Sequence, residues 1–168
     1  DAVIFVGYHS PVSSDGNPLS HTMNLRNQYV KINGIIASEF YINALYASYL
    51  GVPIAFLSGD EELCQHAKAL IPEIETVGVK SGEGNMTVNM NPAKACALIK
   101  EGVQKGLAKL AACSLASPDQ FELEINFKDC VKAHRGSFYP GAEKIDPNTV
   151  RFVGKDIQEM MAARMFIL

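Results

Sequence analysis

The sequence predicts an α/β fold: a layered sheet with mainly parallel strands in its first part, and a smaller βαβα sub-domain at the C-terminal end. Three observations predict it. Residues 2–8 (AVIFVGY) and 52–57 (VPIAFL) are short, unbroken apolar runs, the pattern of strands covered on both faces. Segments of helical periodicity alternate with them. Residues 121–127 (FELEINF) instead alternate strictly between apolar and polar, which marks a half-buried strand of a different kind of sheet.

The elements follow in order. After the first strand, residues 9–27 are polar and rich in Ser, Pro, Gly and Asn, a loop long enough to suggest a functional role. Residues 28–33 (QYVKIN) alternate and meet Gly34, a short strand and turn. Ser38 can cap a helix through about Leu50, closed by Gly51. After the strand 52–57, Asp60 caps a helix with Glu61 and Glu62 in its favourable first turn, and Pro72 stops it. Glu75–Lys80 reads as a strand and 81–90 as a Gly/Asn/Ser-rich loop. Asn91-Pro92 is an N-cap with proline at the first helical position. The helix it opens should reach about Cys113, with Ala95, Leu98, Ile99, Gly102, Val103, Gly106 and Leu110 on one face. A linker at 114–119 leads to the strand 121–127, a short helix near 129–135, a turn at Tyr139-Pro140-Gly141, a strand at 149–153 and a helix from Asp156. The expected division is residues 1–113 as the α/β core portion and 114–168 as a small α+β sub-domain.

Composition excludes several classes. With 168 residues, 48% of them hydrophobic, the chain can bury a real core and is not disordered. Fifteen basic residues against eighteen acidic ones leave no polybasic surface, so neither nucleic acid nor a membrane is an expected partner. No apolar run approaches the roughly 18–20 residues that cross a bilayer. No charged n-region precedes the first apolar run, so it is not read as a signal peptide. A strand that begins at residue 2 with no lead-in reads as a piece of a longer chain. The four cysteines, Cys64, Cys96, Cys113 and Cys130, form no Cys-x-x-Cys pair, which argues against a zinc ribbon or a thioredoxin-type motif. Three fall in helical patterns and read as small hydrophobes. Free thiols suit a reducing compartment, and the expected location is cytoplasmic.

Few residues could carry chemistry. His66 sits mid-helix beside Leu63 and Leu70 and reads as a surface or boundary residue; His134 precedes Arg135 at a helix end, where a cation suits the dipole. His9 differs, because it follows the first strand at its carboxyl end, where open α/β sheets bind ligands. His21 comes twelve residues later in the same loop. Glu39 and Asn43 stand four apart on a helix that is apolar nearly all round. Glu39 either complements the helix N-terminus or serves as a metal ligand oriented by Asn43. Two imidazoles and a carboxylate suit zinc, but their spacing is no general motif. Lys80, beside Gly82-Glu83-Gly84, either meets a substrate or is simply solvated. No phosphate loop, G-x-G-x-x-G or G-x-S-x-G is present.

Taken in order, Gly7-Tyr8-His9, Ser20-His21-Thr22-Met23, Ser38-Glu39 with Asn43-Ala44, Val52-Pro53, Gly59-Asp60, Ile71-Pro72, Val79-Lys80, Pro92-Ala93-Lys94-Ala95 and Pro140-Gly141-Ala142-Glu143 resemble the DppA-type D-aminopeptidases. The resemblance runs through nearly all of the chain. It implies a zinc metallopeptidase that removes N-terminal D-residues, such as D-Ala, from short peptides by metal-activated water, and a homo-oligomer, in that family a decamer. It implies His9 and Glu39 as zinc ligands and His21 as a catalytic histidine that is not a permanent ligand; Asn43 carries no implied role. The family holds two zinc ions per subunit, and its remaining ligands, an Asp-x-Glu strand and another histidine, come earlier than the matched stretch. The chain is therefore expected to be the larger part of such an enzyme. The competing expectation is a non-catalytic oligomerising or peptide-binding module of the same fold with an incomplete metal site.

Overall fold

The computed structural model describes residues 1–168. Along the chain run β1 (Val3–Tyr8), β2 (Asn27–Ile32), β3 (Ile35–Ile36), α1 (Glu39–Tyr49), β4 (Ile54–Asp60), α2 (Glu61–Leu70), β5 (Glu75–Glu83), β6 (Met86–Asn89), α3 (Pro92–Leu107), β7 (Phe121–Phe127), α4 (Cys130–Gly136), β8 (Ala142–Lys144), β9 (Thr149–Gly154) and α5 (Ile157–Ile167). A 3₁₀ turn covers Leu110–Ala112. Two compact units result. The first holds Asp1–Ser10, Ser14–Ser20 and Glu39–Ser117; the second holds Pro11–Ser13, His21–Ser38 and Pro118–Leu168.

The first unit is built on a four-stranded sheet in the order β1-β4-β5-β6. β1, β4 and β5 pair in parallel, as expected for strands joined through helices. β4 is buried at all seven positions, which is why its sequence reads as an unbroken apolar run. Its neighbours include Phe5, Phe40, Leu63, Ile71 and Ile74, the core of this unit. Each such side chain contributes about 1.5–3 kcal/mol on burial.

Helix α3 packs on β4 through glycines. A Cβ on Gly106 would lie inside the Ala55 carbonyl group, 2.8 Å from its carbon, and one on Gly102 would strike the Phe56 ring. The pair permits close approach of helix to sheet, and Ala108, not Cys113, caps the helix at its C-terminal end.

Three expectations change in this unit. The run 2–8 was expected to be covered on both faces. β1 is instead the outer strand of the sheet; Phe5 is buried, but Val6 is 57% exposed. The stretch 81–90 was expected to be a loop. It is the turn and return strand of a hairpin, with β5 and β6 pairing antiparallel about Gly84, whose φ is +59°. All of β6 is exposed, so no buried face leaves a period in its sequence, and Gly84-Asn85 is a favoured two-residue hairpin turn. Cys96 was expected to act as a small hydrophobe; it is exposed, whereas Cys64 and Cys113 are buried.

The second unit is built on a five-stranded antiparallel sheet, β3-β2-β7-β9-β8. β7 alternates buried and half-buried residues without exception, with Phe121, Leu123, Ile125 and Phe127 inward. A separate C-terminal sheet was expected, but it also takes β2 and β3 from the first part of the chain, so residues 21–38 belong with 118–168 and the division at 113 is not a simple one. Asp156 caps α5 by accepting from the amides of Gln158 and Glu159.

Candidate metal centre

His9 is the first residue past β1, so the parallel sheet delivers it at a carboxyl end. Its Nδ1 lies 3.0 Å from the Ser10 carbonyl oxygen. A carbonyl only accepts, so Nδ1 carries a proton in this bond, and in the neutral ring the lone pair stands on Nε2. That Nε2 lies 4.0 Å from Oε1 of Glu39, and both side chains are about three-quarters buried.

Glu39 opens α1, whose following residues Phe40, Tyr41 and Ile42 are buried. Glu39 thus lies both in the first turn of α1 and beside His9, and the two readings of Glu39 are compatible. His21 follows directly on Ser20, the last residue of the loop stretch 14–20. Its neighbour Thr22 is buried; the Thr22 hydroxyl donates to the Ala37 carbonyl at 2.9 Å and accepts from the Val12 amide at 3.2 Å. His9 and Glu39 belong to the first unit, and His21 to the second.

These donors fit a zinc ion. Ligands at about 2.0–2.2 Å in a tetrahedron stand roughly 3.3–3.6 Å apart. The 4.0 Å between His9 Nε2 and Glu39 Oε1 exceeds this by an amount that a small side-chain rotation closes. Nitrogen and carboxylate oxygen are also the donor types of catalytic zinc.

The Asn43 amide donates to the Tyr8 hydroxyl at 3.2 Å, tying α1 to the end of β1. Ser10 and Asp60, both fully buried, were missed as neighbours of the site. The Asp60 carboxylate accepts from the Ser10 amide at 2.6 Å and from the Ser10 hydroxyl. The other histidines lie elsewhere. His66 is on α2, where burial lowers its pKa; His134 is on α4, its ring edge-on to Phe138. Lys80 is in β5, opposite Asp60 in register.

Fold and donors together define a class: an α/β protein with a histidine–carboxylate centre suited to a divalent metal. The particular family is peptidase M55, D-aminopeptidase, whose model matches residues 1–166, and the chain belongs to it. It is 33% identical over 165 residues to a D-aminopeptidase of Bacillus subtilis (strain 168), covering 96% of this chain and 60% of that protein. Among solved structures it resembles the Zn-dependent D-aminopeptidase DppA from Bacillus subtilis, described as a self-compartmentalizing protease, with a TM-score of 0.88 and 29% identity over 99% of this chain and 63% of that one. The chain thus spans less than two thirds of the length of these relatives.

Proposed function

We propose that the complete protein is a zinc-dependent D-aminopeptidase that releases N-terminal D-residues, such as D-Ala, from short peptides. The observation that carries this reading is the approach of His9 Nε2 to Glu39 Oε1 at 4.0 Å, in a chain of the D-aminopeptidase family. Zinc, when bound, supplies a Lewis acid that activates water and polarises the scissile carbonyl. His9 and Glu39 hold it. The Ser10 carbonyl keeps the His9 proton on Nδ1, so Nε2 keeps its lone pair for the metal. His21 moves the proton, giving it to the departing amine, a task that suits an imidazole near neutral pH. A catalytic zinc takes at least three protein ligands; the further ligands implied by the family resemblance, and a second zinc, would involve residues outside 1–168. The self-compartmentalizing relative supports a homo-oligomer, which we propose to be a decamer, and the four free cysteines support a cytoplasmic location.

The test is hydrolysis of D-Ala-D-Ala and of L-Ala-L-Ala by the full-length protein, with and without chelator. Chelator-sensitive release of D-Ala, much faster than release of L-Ala, is expected. Release that ignores the chelator removes the proposal. Purified protein that neither binds zinc nor turns over peptide supports the non-catalytic module instead.

A further inference from the structure

We propose that Asp60 is a positioning residue for His9: its buried carboxylate grips Ser10, and the Ser10 carbonyl in turn fixes the tautomer and aim of the His9 imidazole. Asp60 is the last residue of β4 and the N-cap of α2. Capping needs only one of its oxygens, and Oδ1 meets that need by accepting from the Leu63 amide at 2.9 Å. The remaining capacity goes to a residue fifty positions away. Oδ2 accepts from the Ser10 amide at 2.6 Å, and Oδ1 also accepts from the Ser10 hydroxyl. Asp60 and Ser10 are both at 0% exposure. A buried carboxylate is tolerated only when such donors satisfy it, so the grip stays closed as long as the fold holds.

Ser10 has nowhere else to go. A Cβ on Gly16 would run into its hydroxyl and come within 2.7 Å of Glu62 Cβ. On the other flank of His9, the Tyr8 hydroxyl is held by Asn43, and the Gly7 amide donates to Ser58 Oγ at 3.3 Å. His9 is therefore pinned from both sides, and the Ser10 carbonyl that receives its Nδ1 proton is fixed by Asp60. The residue acts through Ser10 and needs no contact with substrate or metal.

The effect on zinc rests on the metal-site reading above; the effect on the tautomer does not. The experiment uses the full-length protein, histidine-labelled for ¹⁵N NMR, as wild type, Asp60→Asn, Ser10→Ala and the packing control Ile71→Ala. Wild-type His9 should show its proton on Nδ1 in metal-free protein. Asp60→Asn should mix the tautomers and weaken zinc, read by chelator competition, about 10–100-fold. Ser10→Ala should move both readouts the same way by less, and Ile71→Ala should leave both unchanged in its folded fraction. Folded Asp60→Asn and Ser10→Ala with the wild-type tautomer overturn the proposal and leave Asp60 a helix cap only. If Asp60→Asn does not fold, Ser10→Ala decides by the same criterion. A wild type that binds no zinc removes the proposed function, and the tautomer measurement still decides the role of Asp60.

Discussion

The two sheets of this protein solve different problems. In the four-stranded sheet, parallel strands are joined through helices, so strand ends and helix starts gather at one edge. His9 at the end of β1, Asp60 at the end of β4 and Glu39 at the start of α1 all belong to this unit. In the five-stranded sheet, β7 pairs antiparallel with both β2 and β9, and its inward residues are Phe, Leu, Ile and Phe. None of the candidate ligands lies on a strand of that sheet. The contrast teaches that chemistry here follows topology: parallel order concentrates polar side chains at carboxyl ends, while the antiparallel sheet supplies apolar packing.

The largest effect should come from breaking the parallel edge itself. In the complete protein, His9→Ala and Glu39→Ala should each lose bound zinc and, with it, peptidase activity. His21→Ala should keep its metal and lose about 10²–10⁴-fold in kcat, the usual worth of a positioned acid–base group. Metal analysis beside kcat on D-Ala-D-Ala separates the two kinds of loss. Equal zinc in all three variants would falsify the assignment of ligand and proton carrier.

Thiol chemistry probes how closed the first unit is. Burial, with Glu61 adding to it, pushes the Cys64 thiol up from 9.0 to about 12, leaving about a thousandfold less thiolate near pH 8, and thiolate is the reactive form. Cys113 is raised by burial as well and is fully shielded. Cys96 and Cys130 are exposed. Native protein should therefore give two fast thiols with an alkylating reagent and four after denaturation, counted by intact mass. Four fast thiols in native protein would mean that the core beside β4 opens readily.

Packing sharpens the comparison between the sheets. Gly106→Ala places a methyl against the Ala55 carbonyl, a backbone neighbour that cannot step aside, so α3 must lift from β4 at a cost of about 3 kcal/mol. Ile125→Val, in the centre of β7, removes one methylene from a conventional core and should cost about 1 kcal/mol. Urea unfolding of the two variants measures the difference. A Gly106→Ala variant no weaker than Ile125→Val would show that the helix has room to spare.

How much of this was legible followed the same division. β4 and β7 could be read directly, one as an unbroken apolar run and one as a strict alternation, because each has a defined relation to a core. β3 and β8, two and three residues long, are too short to show a period. β6 is wholly exposed and shows none. At the site, the apolar helix made Glu39 conspicuous and the strand end made His9 conspicuous, yet thirty residues separate them and no local spacing joins them; the family resemblance did. The Ser10–Asp60 contact was hidden because a helix cap already accounted for Asp60 completely. Long-range hydrogen bonds leave no periodic trace in a sequence, so a residue with a complete local role gives no sign of a distant partner.

The smallest effect concerns His66, on the helix layer of the first unit. Burial lowers its pKa below the ordinary 6.5, because the folded surroundings disfavour the charged ring. The unfolded chain therefore takes up the proton first as the pH falls. Stability is full above about pH 6.5, then declines as the pH drops toward the lowered folded value, and the loss is complete below it. In His66→Gln this contribution is absent. Urea midpoints of the two proteins, compared at pH 7.5 and pH 5, should separate only at the lower pH, with the wild type losing more. Curves that stay parallel across that range would show that the ring reaches water from α2, and that this side of the parallel sheet is covered less tightly than the fully buried β4 requires of the helices packed against it.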